Sequence, residues 1–298
     1  MTEAPRLTIG LPVFNGQDHI AAAIAALLDQ SFGDFELIIS DNASTDRTVE
    51  ICRAFAATDK RIRLIRNEHN LGAAANYNQT LEQARGELFK WAAHDDVCLP
   101  RFLERCIETI DRERDTVLVH TLSCAIDERG RILGPYAREQ AFDQAYASQR
   151  FRAAILRPHL CLSVFGVMRR EILERTSRHG DWVGADRNLL AELSLHGKIR
   201  LVPELLFQRR HHAQASIHRF TDEHERLAWF DPEKSGSFSF PTWRRLGEYL
   251  RAIARVQPGA WTSFACWVQL LRWLVSPHHT GPRNLRLLAG ELLRPRRA

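Results

Sequence analysis

The chain has 298 residues, 45% of them hydrophobic and 26% charged, the balance of a soluble globular protein with one large domain and room for a smaller appendage. A formal net charge of +5 without any nucleic-acid-binding motif suits an anionic small substrate or an anionic membrane surface, and no nucleic acid is expected as a partner. The six cysteines (Cys52, Cys98, Cys106, Cys124, Cys161, Cys266) include no C-x-x-C pair and no histidine at zinc-ligand spacing, which argues against a disulfide scaffold or a zinc finger and for reduced core thiols in a cytoplasmic protein.

In chain order, Leu7 to Phe14 reads as a strand ending in the turn sequence Pro12-Val13-Phe14-Asn15-Gly16. Gln17 to Gln30 follows as a helix with Ile20, Ile24, Leu27 and Leu28 on one face. Phe35 to Ser40 is a second strand. Beyond it, Ser44 or Thr45 is placed to cap a helix carrying Val49, Cys52 and Phe55. Ile62 to Arg66 and the run before His94 are further strands, with helices at Gly72–Arg85 and from Pro100 to Arg112. Such alternation predicts a parallel sheet covered on both faces. The signal weakens from Thr121 to Tyr146, where Ala125 to Leu133 looks like a hairpin turning at Glu128 to Gly130. Phe151–Arg157 and Asp186–His196 read as helices. After Ser216 a polar, irregular stretch runs to Pro241, and helices are predicted near Thr242–Val256, Trp261–Val275 and Arg283–Leu293. The N-terminal Met1 to Arg6 lacks the apolar run of a secretory signal. No stretch reaches the roughly eighteen apolar residues that span a bilayer.

Chemistry concentrates at His94-Asp95-Asp96, which closes the apolar run Leu88 to Ala93. Carboxylates at the carboxyl end of a buried strand sit in the crevice where open α/β sheets bind ligands. Adjacent acids repel and call for compensating positive charge, which a divalent cation carried by a phosphorylated substrate would supply. Asp41, at the end of the second strand, lies on the same edge and can accept hydrogen bonds from a nucleoside. Neither G-x-G-x-x-G nor G-x-x-x-x-G-K-[ST] is present, so phosphate charge falls to a metal or to basic side chains.

Four segments then resemble the family 2 glycosyltransferases of GT-A fold. Leu7 to Asn15 looks like their opening strand. Ser40-Asp41-Asn42-Ala43-Ser44-Thr45-Asp46 is similar to their D-[DN]-x-S-x-D signature. Arg66 to Asn76 resembles their N-x-G-x-x-x-A-x-N segment, and Asp95 to Pro100 the end of their D-x-D-D-x-x-x-P motif. The resemblance implies an α/β, GT-A-type nucleotide-binding fold with a mostly parallel central sheet, a nucleotide-diphosphate sugar as donor, and a divalent cation (Mn²⁺ or Mg²⁺). By the same resemblance Pro12, Phe14 and Asn15 shape the base and ribose pocket, Asp41 holds the base or ribose, and Asn70, Gly72 and Asn76 contact the donor. Asn70 and Gly72 read equally well as a helix-start turn. Asp95 would coordinate the metal. Ala93 stands where the family carries its first acid, which thins the metal shell.

The second half is similar to the family's acceptor segment over Gly180 to Gly197, and there Asp186 aligns with the general base. An acceptor hydroxyl must lose its proton as it attacks, and a positioned carboxylate can take it. The alternative is an acid merely favoured by the helix dipole. Ala185 replaces the family's other acid, and Asp181 is a reserve candidate. Arg209-Arg210-His211-His212 resembles the R-x-H element, so Arg209 would neutralise phosphate and His211 would ligate the metal in place of the acid lost at Ala93.

The implied organisation is a GT-A domain over residues 1–215, with donor half about 1–97 and acceptor half about 98–215, and a helical C-terminal extension over 216–298. The implied activity is inverting sugar transfer to a glycan or lipid-linked glycan in surface polysaccharide or glycolipid assembly. The alternative is a non-catalytic sugar-nucleotide-binding or partner subunit of the same fold. Residues 242–293 could pack on the domain, form a homo-oligomer, or lie as a peripheral contact on the inner face of the membrane, with tryptophans at headgroup level.

Overall fold

The computed structural model describes residues 4–214, 223–232 and 241–276. The predicted helix Arg283–Leu293 lies outside them. The donor half runs β1 (Leu7–Val13), α1 (Ile20–Leu28), β2 (Phe35–Asp41), α2 (Thr48–Thr58), β3 (Ile62–Arg66), α3 (Ala73–Glu82) and β4 (Leu88–Trp91). The acceptor half runs β5 (Val97–Cys98), α4 (Phe102–Arg112), β6 (Thr116–Ile126), β7 (Ile132–Pro135), α5 (Ala147–Leu156), a 3₁₀ turn (Leu162–Phe165), β8 (Val167–Arg169), α6 (Arg170–Glu174), α7 (Ala185–His196) and β9 (Lys198–Arg210). Three helices follow: α8 (Glu223–Phe230), α9 (Pro241–Val256) and α10 (Ala260–Val275).

One sheet in the order β3-β2-β1-β4-β8-β6-β9-β5, with β7 beside β6, organises everything. The pairs β1–β2, β1–β4, β2–β3 and β6–β9 are parallel. The antiparallel pairs of this mostly parallel sheet fall in the acceptor half: β8 pairs antiparallel with both β4 and β6, and β5 antiparallel with β9. Strand–helix alternation forecasts parallel crossovers only where each strand has its own helix. The short β8 is reached from the 3₁₀ turn and reverses direction.

Strand alternation divides the core into two layers. Leu7, Ile9 and Leu11 of β1 face one layer with Ile20, Ile24, Phe102 and Ile107. On β4, Leu88 joins that layer, while Phe89 and Trp91 face the other with Leu118, Met168 and Leu189. Gly10 points at α3, where an added Cβ would lie 2.3 Å from Thr80 Oγ1 and 2.9 Å from the Phe89 ring. Its missing side chain lets the helix settle on the strand.

The C-terminal helices are not a loose appendage. Tyr249, Ala252 and Ile253 of α9 and Cys266, Leu270 and Trp273 of α10 belong to the same apolar layer as Phe151 and Leu189. The Tyr249 ring stands edge-on to Phe151 and Trp273, at 5.8 and 5.5 Å. Helix α8 falls within the stretch expected to be irregular. All six cysteines are free and buried, and among the described residues no helix is long and apolar enough to cross a membrane.

Candidate functional site

A cleft of about 870 Å³ opens at the carboxyl ends of β1, β2 and β4, bounded on the far side by the end of β9 and by α8. This is a typical volume for a small-ligand site. Pro12, Phe14, Asn15, Asn70, Asn76, Asp95 and Arg209, all expected from the sequence, line it, together with His19, Tyr77, His212 and Trp229. Asp41, Gly72, Asp186 and His211 are not among the lining residues.

The floor of the cleft is stitched from the loops after β1 and β2. The backbone N–H groups of Asn15 and Gly16 donate to Ser44 Oγ and Thr48 Oγ1, both at 2.8 Å, and Thr45 N–H donates to Asn15 Oδ1 at 2.9 Å. Asp46, rather than Ser44 or Thr45, serves the start of α2, its Oδ1 accepting from Thr48 N–H at 3.0 Å. The helix starts at Thr48, after Arg47, so Ser44 and Thr45 lie too far upstream to cap it. Asn42 holds the next loop: its Nδ2 donates to Asn70 Oδ1 at 2.7 Å, and its Oδ1 accepts from Leu71 N–H at 3.0 Å. Gly72 N–H closes a turn onto Asn70 Oδ1 at 2.9 Å, and Gly72 itself adopts φ +84°. Both residues therefore build the turn that starts α3, and Asn70 also faces the cleft. Asn76 is buried and ties α3 to β2 through Ser40. Asp41 is fully buried; Oδ2 accepts from Ser44 N–H at 3.2 Å, while Oδ1 has no hydrogen-bond partner among the described residues. An unpaired buried acceptor is costly.

At the end of β4, His212 Nε2 lies 2.9 Å from Asp95 Oδ2, and the His212 ring meets His19 edge-on at 4.6 Å. His211 was expected to join Asp95 in holding the metal. His211 turns to the Tyr136 hydroxyl instead. Side chains alternate along extended backbone, so Arg210 and His212 face Asp95 and Asp96, whereas Arg209 and His211 face Tyr136. Burial alone would raise the Asp95 pKa, but the His212 hydrogen bond and the nearby His94 and His212 charges carry it below the usual carboxylate range. Asp96 moves the other way, raised by burial and by the adjacent Asp95 charge. Its Oδ1 accepts from Arg210 N–H at 2.9 Å.

Compensation for the acid pair, assigned above to a cation brought by the substrate, comes partly from the chain itself. Lys90 is completely buried under the pair, its Nζ donating to Trp91 O at 3.1 Å and to Phe165 O, with the Phe102 ring at 4.5 Å. Sequence reading passed over Lys90 as one residue of an apolar run, yet a charge at an inward position of a buried strand was the available signal. Among the described residues no three His, Cys, Asp or Glu side chains form a metal cage. Asp95 and His212 could offer two ligands, and Mg²⁺-type ions are commonly held by one or two carboxylates with the remainder from phosphate oxygens and water. The donor set fits an ion arriving with a diphosphate.

Asp186 lies in the first turn of α7, half-buried, its Oδ1 accepting from Arg187 N–H at 2.7 Å, near the Cys161 thiol. His179, whose ring stacks on Tyr77 at 4.7 Å, stands between this corner and the cleft wall. Asp181 is paired with Arg244 at 2.9 Å.

Residues 8–176, more than half of the chain, match the family described as Glycosyl transferase family 2. The chain belongs to that family. EpsE of Bacillus subtilis, named a glycosyltransferase, is 34% identical over 131 residues, covering 44% of this chain and 47% of its own length. The GalNAc(5)-diNAcBac-PP-undecaprenol beta-1,3-glucosyltransferase of Campylobacter jejuni is 25% identical over 191 residues, 63% of this chain and 60% of its own. This family 2 member thus spans between about half and three fifths of the length of those relatives. Mannosyltransferase PcManGT of Pyrobaculum calidifontis, solved with GDP-Man and Mn²⁺, superposes with a TM-score of 0.54 at 18% identity, covering 98% of this chain and 80% of the other. That likeness establishes the GT-A fold.

Proposed function

We propose that the chain transfers a sugar from a nucleotide-diphosphate sugar to a hydroxyl of a glycan or lipid-linked glycan, with inversion at the anomeric carbon, in surface polysaccharide or glycolipid assembly. The observation that carries this reading is the single cleft in which the loops after β1 and β2 meet Asp95, His212 and Arg209. The printed name of the Campylobacter relative, a glucosyltransferase with an undecaprenol-linked substrate, supports the acceptor class.

In this reading Pro12, Phe14 and Asn15 form the base and ribose wall, Asn70 supplies a polar contact from the loop after β3, and Asp41, buried beside the lining, would meet the base or ribose through the Oδ1 left unpaired among the described residues. Gly72 and Asn76 hold those loops in shape. Asp95 and His212 would hold Mn²⁺ or Mg²⁺, which when bound offsets charge on the departing diphosphate. Arg209 faces the same phosphates. Asp186 takes the proton from the acceptor hydroxyl as that oxygen bonds to the anomeric carbon and the diphosphate leaves. Residues 1–215 then act as the catalytic unit and 216–298 as its helical extension.

Calorimetry with UDP, dTDP and GDP, with and without Mn²⁺, followed by a donor-hydrolysis assay, tests the donor assignment. Asp186→Asn is expected to abolish transfer while nucleotide affinity stays within about twofold; unchanged turnover overturns the role of Asp186. A second reading, a sugar-nucleotide-binding partner subunit, draws on Ala93, on Ala185 and on the setting of Asp186 outside the cleft lining. Metal-dependent nucleotide binding with neither hydrolysis nor transfer would favour it.

A further inference from the structure

Helix α10 presents two opposite faces, and both are apolar. Cys266, Leu270 and Trp273 bury against α5 and α9. On the other side Trp261, Phe264, Trp267, Leu271 and Val275 remain exposed, Trp261 at 85% and Val275 at 77%. Their spacing winds them along one stripe over four turns, and Trp243 and Leu250 of α9 extend the patch. Solvent-facing stripes of this kind are not left bare without use.

Charge identifies the occupant. From Gln257 to Ala298 the sequence carries Arg272, Arg283, Arg286, Arg294, Arg296 and Arg297 against one acid, Glu291. This segment holds the whole net charge of +5, so the preceding 256 residues balance to zero. Helix α10 itself has no acid, and Arg272 is exposed beside the stripe. A second copy docking through this face would offer Arg272 no acid on α10 to pair with. An anionic lipid surface meets both requirements, apolar insertion and phosphate charge. The helix is also too short and too interrupted to span.

We propose that the outer face of α10 docks in the headgroup region of an anionic bilayer, with Trp261, Phe264 and Leu271 inserted. Building on the lipid-linked acceptor proposed above, this docking keeps the enzyme on the surface that carries its acceptor.

Full-length protein is expected to sediment with vesicles of phosphatidylcholine and phosphatidylglycerol, to release as salt is raised, and to remain in solution with phosphatidylcholine alone. The variant Trp261→Ser/Phe264→Ser/Leu271→Ser removes only exposed apolar groups and is expected to lower vesicle partitioning roughly tenfold or more. Mn²⁺-dependent nucleotide binding and the unfolding midpoint should stay unchanged. No sedimentation of the full-length protein, equal binding to both vesicle types, or wild-type partitioning of the variant overturns the proposal. So does a dimer in light scattering that the triple substitution dissolves. Nucleotide binding, measured without vesicles, reports separately on the proposed donor site, so failure there is distinguishable from failure of docking.

Discussion

At the residue scale, Asp95 illustrates how one side chain takes its properties from neighbours distant in sequence. Its low pKa depends on His212, 117 positions away, at 2.9 Å. Sequence placed His211 of the 209–212 cluster beside Asp95, whereas the side chain that meets Asp95 is His212, because resemblance to R-x-H fixes spacing and not the face on which a strand ends. His212→Ala is therefore expected to weaken Mn²⁺-dependent nucleotide binding on the order of ten- to a hundredfold. His211→Ala should weaken it by less than about threefold, since His211 turns toward Tyr136. Titration calorimetry of both variants decides the matter, and equal losses would reinstate His211. Lys90 was hidden for a related reason: only the packing of β4 against Phe102 and Phe207 reveals that its ammonium is enclosed.

At the element scale, the strands of the donor half were legible almost to the residue, Ile62–Arg66 included. Parallel central strands such as β1 and β2 are buried on both faces and read as short apolar runs, while the edge strand β3 mixes Ile and Leu with Arg. Helices showed their 3.6-residue pattern, though α1 begins three residues later than predicted because His19 and Asp18 still belong to the β1 loop. Helix α8 was missed because it has only eight residues, half of them polar, and carries a weak period. The seat of α3 on β1 depends on Gly10. Gly10→Ala should destabilise the fold by about 1–3 kcal/mol, since the new Cβ meets the stiff Thr80 side chain and the Phe89 ring. Urea unfolding measures this, and an unchanged midpoint would mean that α3 shifts without cost.

For the whole molecule, buried histidines link stability to pH. Burial pushes the His120 imidazole down to about 4, and burial together with the Arg187 charge pushes His159 to about 4 as well. In the unfolded chain both return to about 6.5. The unfolded state therefore takes up protons first as pH falls, and stability is lost between about pH 6.5 and 4. Between pH 7 and 5 the loss is roughly 2 kcal/mol for each histidine. The urea midpoint should fall over that interval, with a shallower dependence in His159→Gln; a midpoint independent of pH contradicts the assignment. At the same scale, α9 and α10 complete the apolar layer that β4 and α7 begin.

The sequence by itself determined the donor half: the order of strands and helices, the loops after β1 and β2, and the acids after β4. Those features are local, set by apolar period, turn chemistry and motif spacing within a few residues. Tertiary structure alone decided the direction of β8, the choice of His212 over His211, the burial of Lys90 and the place of Asp186 outside the cleft lining. Each depends on which face of one element meets another from a distant part of the chain, and no local pattern records that meeting.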